Sequence, residues 1–100
     1  MIYTLEKVRV VQGKKWTNTK EDVTLFAKLG MRWIGSWHGY TGNVNEIYNL
    51  WAYNDLEEMQ KLRASRIQNP EFQKLLAIHI PLTASQEILI LEPNPWSPMK

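Results

Sequence analysis

The stretch Glu46-Ile47-Tyr48-Asn49-Leu50-Trp51-Ala52-Tyr53 decides the fold. Its β-branched and aromatic content reads as a strand, and side chains on a strand alternate between two faces. Tyr48, Leu50 and Ala52 then share one face, while Ile47, Asn49, Trp51 and Tyr53 share the other. Both faces carry bulky groups. A sheet with one wet face would show polar residues at alternate positions, so the pattern asks for helices on one side and a second cover on the other. A second subunit would serve as that cover.

Upstream, Met31 to Tyr40 is strand-compatible and Gly42-Asn43 lies in a short connection, which makes a hairpin. Ile2 to Val11 reads as another strand, followed by the turn pair Gln12-Gly13. Its alternation changes phase, with Tyr3 and Leu5 on one face and Val8 and Val10 on the other, so either both faces are covered or a bulge intervenes. Covered faces are the preferred reading. Trp16, Thr19, Val23, Phe26, Ala27 and Gly30 recur at helical spacing, which predicts a helix from about Lys15 to Leu29. Thr17, Asn18 and Thr19 are better caps than helix formers, and Thr19 with Asp22 offers a later start. Gly30 suits the C-terminal end.

Downstream, Asn54 or Asp55 can cap a helix that carries Glu57 and Glu58 in its first turn and runs to about Ile67. Asn69-Pro70 is a second cap with proline at the first helical position, and Phe72, Leu75, Leu76 and His79 follow at helical spacing until Pro81. Thr83 to Leu91 ends in the apolar run Ile88-Leu89-Ile90-Leu91, a buried strand, and the proline-rich tail 92–100 is extended. The order strand, helix, strand, strand, helix pair, strand is the ferredoxin-like split βαβ arrangement, an α+β fold with a four-stranded antiparallel sheet. One sheet face is left bare, and two such sheets packed face to face would cover it.

The chain has 100 residues, of which 44% are hydrophobic and 22% charged, the balance of a single domain over 1–100. A core of this size is modest, so a homodimer is expected. Twelve Lys and Arg against ten Asp and Glu leave +2, with no basic run beyond Lys14-Lys15, which argues against a nucleic-acid partner. The absence of cysteine removes disulfides, thiolate nucleophiles and sulfur-ligated metals. No apolar stretch is long enough to span a membrane and no signal-peptide core follows Met1, so a cytoplasmic protein is expected. His38 and His79 stand without the acidic or histidine companions that close a metal shell, and neither metal nor cofactor is expected.

Trp33, Trp37, Trp51 and Tyr53 lie on strands, and strict alternation puts Trp33 and Trp37 on one face with Gly35 and Gly39. Large rings beside gaps suit an aromatic-lined pocket for a flat ligand, although core and interface packing explains them too. His38 and Asn49 are polar residues on the same strands that could orient a carbonyl or an oxyanion. Trp96, in the tail, is expected to dock across a neighbouring subunit.

Met1-Ile2-Tyr3 with Leu5, Gly35 with Trp37, Gly42 with Asn45, and Leu50-Trp51-Ala52-Tyr53 resemble a NIPSNAP family domain. Asp55-Leu56, Arg63, Asn69-Pro70-Glu71-Phe72 and the closing Ile90-Leu91-Glu92-Pro93-Asn94-Pro95-Trp96-Ser97-Pro98 extend the resemblance over nearly the whole chain. It departs at Val11 or Gln12, where relatives carry proline, at Trp96, where Phe is usual, and at Asn49, where His is frequent. The resemblance implies a dimeric α+β barrel. Relatives at the fold level include cofactor-independent monooxygenases, lactone isomerases, haem-degrading enzymes and ligand-sensing regulatory domains, so a small aromatic or lactone-like ligand, catalysis on such a molecule, or a protein-interaction module without a small-molecule site are the functions weighed. Tyr3, Arg63 and Glu87 match family positions and join the pocket candidates. Arg63 could reach a carboxylate ligand, and Glu87 could pair with Arg63 or act as a general base.

Overall fold

The computed structural model describes residues 1–16, 18, 20–42 and 45–99. Thr17, Thr19 and Asn43, on which the alternative helix start and part of the hairpin connection rest, lie outside the described residues. The elements are β1 (Ile2–Val10), α1 (Lys20–Lys28), β2 (Arg32–His38), β3 (Glu46–Tyr53), α2 (Leu56–Arg66), α3 (Pro70–His79) and β4 (Thr83–Leu91), with a 3-10 turn at Ile80–Leu82 before the last strand. The strands form one antiparallel sheet in the order β2-β3-β1-β4, which is the ferredoxin-like α+β topology. No helix among the described residues is long and apolar enough to cross a membrane.

Local sequence explains where the helices begin and end. Asp55 caps α2 by accepting from the Glu58 amide at 2.8 Å, and the Glu58 carboxylate reaches back to the Asn54 amide at 3.0 Å. Asn69 caps α3 by accepting from the amides of Glu71 and Phe72, with Pro70 filling the first helical position, where an amide hydrogen is dispensable. Gly30 takes a left-handed φ of +80° after α1, and the Met31 amide then donates back to the Phe26 carbonyl, which closes the helix. The helix expected from about Lys15 starts at Lys20, leaving Trp16 in the segment that leads into it.

The sheet has two unlike faces. Thr4, Glu6 and Val8 of β1 share a face with Asn49, Trp51 and Tyr53 of β3, and the three helices pack on this side. Leu25 and Phe26 of α1, Met59 of α2, and Phe72 and Leu75 of α3 join Met31, Trp51 and Tyr53 in the buried core. The phase change along β1 is not a bulge in its pairing with β3, whose register runs unbroken from Ile2 to Arg9 and puts Val8 on the helix face and Tyr3 and Leu5 on the other, although the pairing with β4 shifts register between Arg9 and Val10. On the opposite face lie Tyr3, Leu5, Leu50, Ala52, Leu89 and Leu91. Tyr3 and Ala52 are buried there, whereas Leu89 and Leu91 are exposed by 45% and 41%.

One expectation is corrected by β2. Trp33 pairs with Trp51 and Gly35 pairs with Leu50, so Ile34 is an extra residue in the ladder. An inserted residue reverses the parity of everything beyond it. Trp33 consequently faces the helices, while Gly35 and Trp37 face the other way, and the two indoles do not share a face. Gly35 still provides a seat for Trp37, because a Cβ at Gly35 would lie 2.5 Å from the Trp37 ring.

On the face away from the helices, Glu46 gathers a small charged cluster. Arg9, its cross-strand partner, donates to Oε1 at 3.0 Å, the Tyr48 hydroxyl donates to Oε2 at 2.6 Å, and Lys7 stands 3.6 Å from Oε2. The bond from Tyr48 and then that from Arg9 hold the Glu46 carboxyl below its ordinary 4.5, against the desolvation that would raise it. A carboxyl depressed on folding stabilises above its unfolded pKa and loses that contribution as pH falls through its folded value. Glu46→Gln should therefore destabilise the protein at neutral pH, with the deficit shrinking as pH drops below 4.5, in urea titrations at a series of pH values. Independently, Asn69→Ala removes the α3 cap and should cost about 1 kcal/mol, seen as a lower urea midpoint at unchanged slope.

Candidate functional site

Between the helix face of the sheet and the helices lies a cavity of about 360 Å3. Its floor is Glu6 and Val8 of β1, Asn49 and Trp51 of β3, and Thr83 and Gln86 of β4. Phe26, Arg63, Arg66, Phe72, Leu75, Leu76 and His79 descend from the three helices, and Trp16 and Asn18 border it from the segment before α1. That volume lies at the small end of the range for organic-ligand pockets.

Aromatic packing shapes both ends. Trp33 and Trp51 stack across β2 and β3 with centroids 5.3 Å apart and planes 13° from parallel. Phe26 meets both edge-on, at 5.3 Å from Trp33 and 5.0 Å from Trp51. At another part of the wall Trp16 stacks on His79, with centroids 4.0 Å apart and planes at 16°. The Arg66 guanidinium lies over Phe72, 5.0 Å from the ring centre.

A polar seam crosses the floor. The Asn49 side-chain amide donates to Glu6 Oε1 at 3.0 Å and the Gln86 amide donates to Glu6 Oε2 at 2.6 Å, so both carboxylate oxygens are engaged. Asn49 is 3% exposed, yet among the described residues its Oδ1 has no partner. The same is true of the buried Trp16 Nε1 and Arg66 Nε, which also border the cavity, and of Trp33 Nε1, which does not. Buried groups of this kind are few in native proteins because each forgoes a hydrogen bond that water would supply.

Two cationic side chains, Arg63 and Arg66, follow one helical turn apart on α2. Among the described residues neither has a carboxylate within ion-pair distance. Burial lowers the Arg66 guanidinium below its ordinary value, and the like charge of Arg63 adds to the effect. Burial also pushes the Tyr53 hydroxyl up, opposed by the positive charges of Arg66 and Arg63, so Tyr53 is held as a neutral phenol.

The structure brings only some of the sequence candidates together. Asn49, Trp51 and Arg63 line the cavity, and Trp33 and Tyr53 stand behind it in the core. Tyr3, Trp37 and Glu87 lie on the opposite sheet face, where Glu87 pairs in register with Lys7. The suggested Glu87 to Arg63 pair is thus not formed, because the sheet separates them. His38 is exposed and borders a separate hollow with Val10, Trp16 and Ile47. Trp96 is 79% exposed. Among the described residues no three His, Cys, Asp or Glu side chains converge as metal ligands.

Glu6, Trp16, Arg66 and Gln86 were not among the sequence candidates. Glu6 could have been found, since it is a carboxylate between Thr4 and Val8 on the face that packs against helices. Arg66 carries a weaker signal, its one-turn spacing from Arg63. Gln86 and Trp16 carry none, because they reach the cavity only through the sheet pairing and the path of the chain before α1.

Comparison with known proteins places this architecture. The chain is 25% identical over 101 residues to human protein NipSnap homolog 2, an alignment that takes in 99% of the chain and 35% of the human protein. It therefore spans about a third of the length of that relative. Among solved structures, a protein from Agrobacterium tumefaciens superposes with a TM-score of 0.88 at 25% identity, covering 100% of both chains. A second Agrobacterium tumefaciens structure, described as a NIPSNAP family protein, gives a TM-score of 0.87 at 20% identity over 99% of this chain and 98% of that one. The NIPSNAP family model matches residues 2–98, and the chain belongs to the NIPSNAP family.

Proposed function

We propose that this NIPSNAP domain is a homodimeric binding protein for a small organic molecule, which it holds in the cavity between sheet and helices. The observation that carries the reading is the lining of the cavity. Aromatic rings from α1, α3 and β3 surround a space that also holds three buried polar atoms without partners among the described residues, Asn49 Oδ1, Trp16 Nε1 and Arg66 Nε. An apolar enclosure with a few convergent polar groups is what orients an organic ligand. A domain of this size has little core to spare, so an unfilled volume with unsatisfied groups costs stability unless something occupies it.

Support for the dimer comes from the opposite face. Leu89 and Leu91 on the edge strand and Trp37 on β2 expose large apolar surfaces, by 45%, 41% and 53%, on the side that no helix covers. A second copy of the same sheet would bury them.

Native mass spectrometry of the purified protein tests both parts in one spectrum. The expected result is a dimer carrying extra mass that is lost on collisional activation. Leu76→Trp, which places an indole into the cavity, should remove the extra mass while leaving helical circular dichroism unchanged. An empty dimer that also fails to take up added aromatic compounds would overturn the ligand reading. Leu89→Glu should convert the dimer to a monomer by placing a charge in the apolar face, and a dimer that withstands it would rule this face out as the interface.

A further inference from the structure

Resting on the ligand-binding reading above, we propose that the occupant of the cavity is an aromatic organic acid, a flat monoanion whose carboxylate meets Arg66 and Arg63 and whose hydroxyl or N–H donates to Asn49 Oδ1. The charge balance selects a monoanion. Two guanidinium groups line the cavity against the single carboxylate of Glu6, and Glu6 is already committed to the donors of Asn49 and Gln86. A dianionic phosphate would bring a charge too many beside Glu6, whereas one carboxylate balances the excess.

The unpartnered atoms add direction to charge. Arg66 Nε is a donor with no acceptor among the described residues, and a guanidinium offers parallel N–H groups that match the two oxygens of a carboxylate. The indole N–H of Trp16 is a second donor with no acceptor among the described residues. Asn49 is the converse: its amide nitrogen is fixed by donation to Glu6, which fixes its Oδ1 as an acceptor needing a donor from the occupant. Between these polar points the wall is ring and aliphatic surface from Phe26, Trp51, Phe72 and Leu75, which accepts a flat body. The volume of about 360 Å3 suits one or two fused rings. Burial already disfavours the isolated Arg66 cation, and an anion beside it would relieve that cost.

The test uses three probes on the full chain by isothermal titration calorimetry at neutral pH: 6-hydroxy-2-naphthoate, its methyl ester, and 2-naphthol. The acid should bind at least about tenfold more tightly than either neutral compound, the size of a charge-assisted hydrogen-bonded pair. In Arg66→Gln the acid should weaken by about tenfold while the ester stays within about twofold, and Arg66→Lys should recover part of the loss. The melting temperature of ligand-free Arg66→Gln should be unchanged or raised, because the arginine holds an uncompensated charge; a purely structural arginine would give a lower one. Equal binding of acid and ester by the wild-type protein, or an acid affinity untouched by Arg66→Gln, overturns the carboxylate assignment and leaves the cavity as a neutral-ligand site. Absence of binding by all three probes, together with an empty native spectrum, overturns the ligand reading as well.

Discussion

The parallel stack of Trp33 on Trp51 is the interaction on which the rest of the structure depends. It exists because Ile34 is an extra residue in β2, which turns Trp33 toward the helices in time to meet Trp51 across the strand boundary. Phe26 then finds two indole faces to approach edge-on, and this contact seats α1 on the sheet. The helix closes immediately afterwards at Gly30, whose left-handed backbone returns the chain to Met31 and the start of β2. One bulge thus sets the docking of α1, the end wall of the cavity and the face on which Trp37 emerges.

Concentrating the rings in this way divides the interior. Around Trp33, Trp51, Phe26 and Tyr53 the packing is dense and aromatic, and it carries the association of sheet and helices. Toward β4 the interior opens, and its lining changes to charged and amide side chains mixed with Phe72, Leu75 and Leu76. A small domain cannot make both ends dense and keep an open cavity. The aromatic end supplies the stability that the open end gives up.

How much of this the sequence revealed depended on the range of the interaction. The segment Glu46–Tyr53 coincides with β3, because alternation over eight residues is a local pattern with a direct reading. The caps Asp55 and Asn69 were equally legible, since a cap and the amides it serves lie within three residues of each other. Gly30 was legible for the same reason. The bulge at Ile34 was not, as nothing in Arg32-Trp33-Ile34-Gly35 marks which residue lies outside the ladder, and that single omission carried Trp37 to the wrong face. Tyr3 and Glu87 were placed among pocket residues although β1 and β4 point them away from the helices. Glu6 and Gln86 meet across strands 80 positions apart in the chain, a separation that only the sheet topology can bridge.

The seam of Asn49, Glu6 and Gln86 has a meaning for assembly of the sheet itself. Glu6 sits on β1, one of the two inner strands, and receives one donor from each neighbouring strand, β3 on one side and β4 on the other. A slip of one residue by β4 would exchange Gln86 for Glu87 or Ser85 on this face, and in the first case two carboxylates would confront each other. Edge strands with apolar runs such as Ile88 to Leu91 are prone to such mispairing, because hydrophobic contact alone scarcely distinguishes one alignment from the next. The carboxylate of Glu6 distinguishes the Glu87 alignment from the native one by charge, and the Ser85 alignment by the loss of the Gln86 donor. A slip of β4 that brought Glu87 to this face would thus meet an electrostatic penalty at Glu6 that the oily side chains alone do not impose.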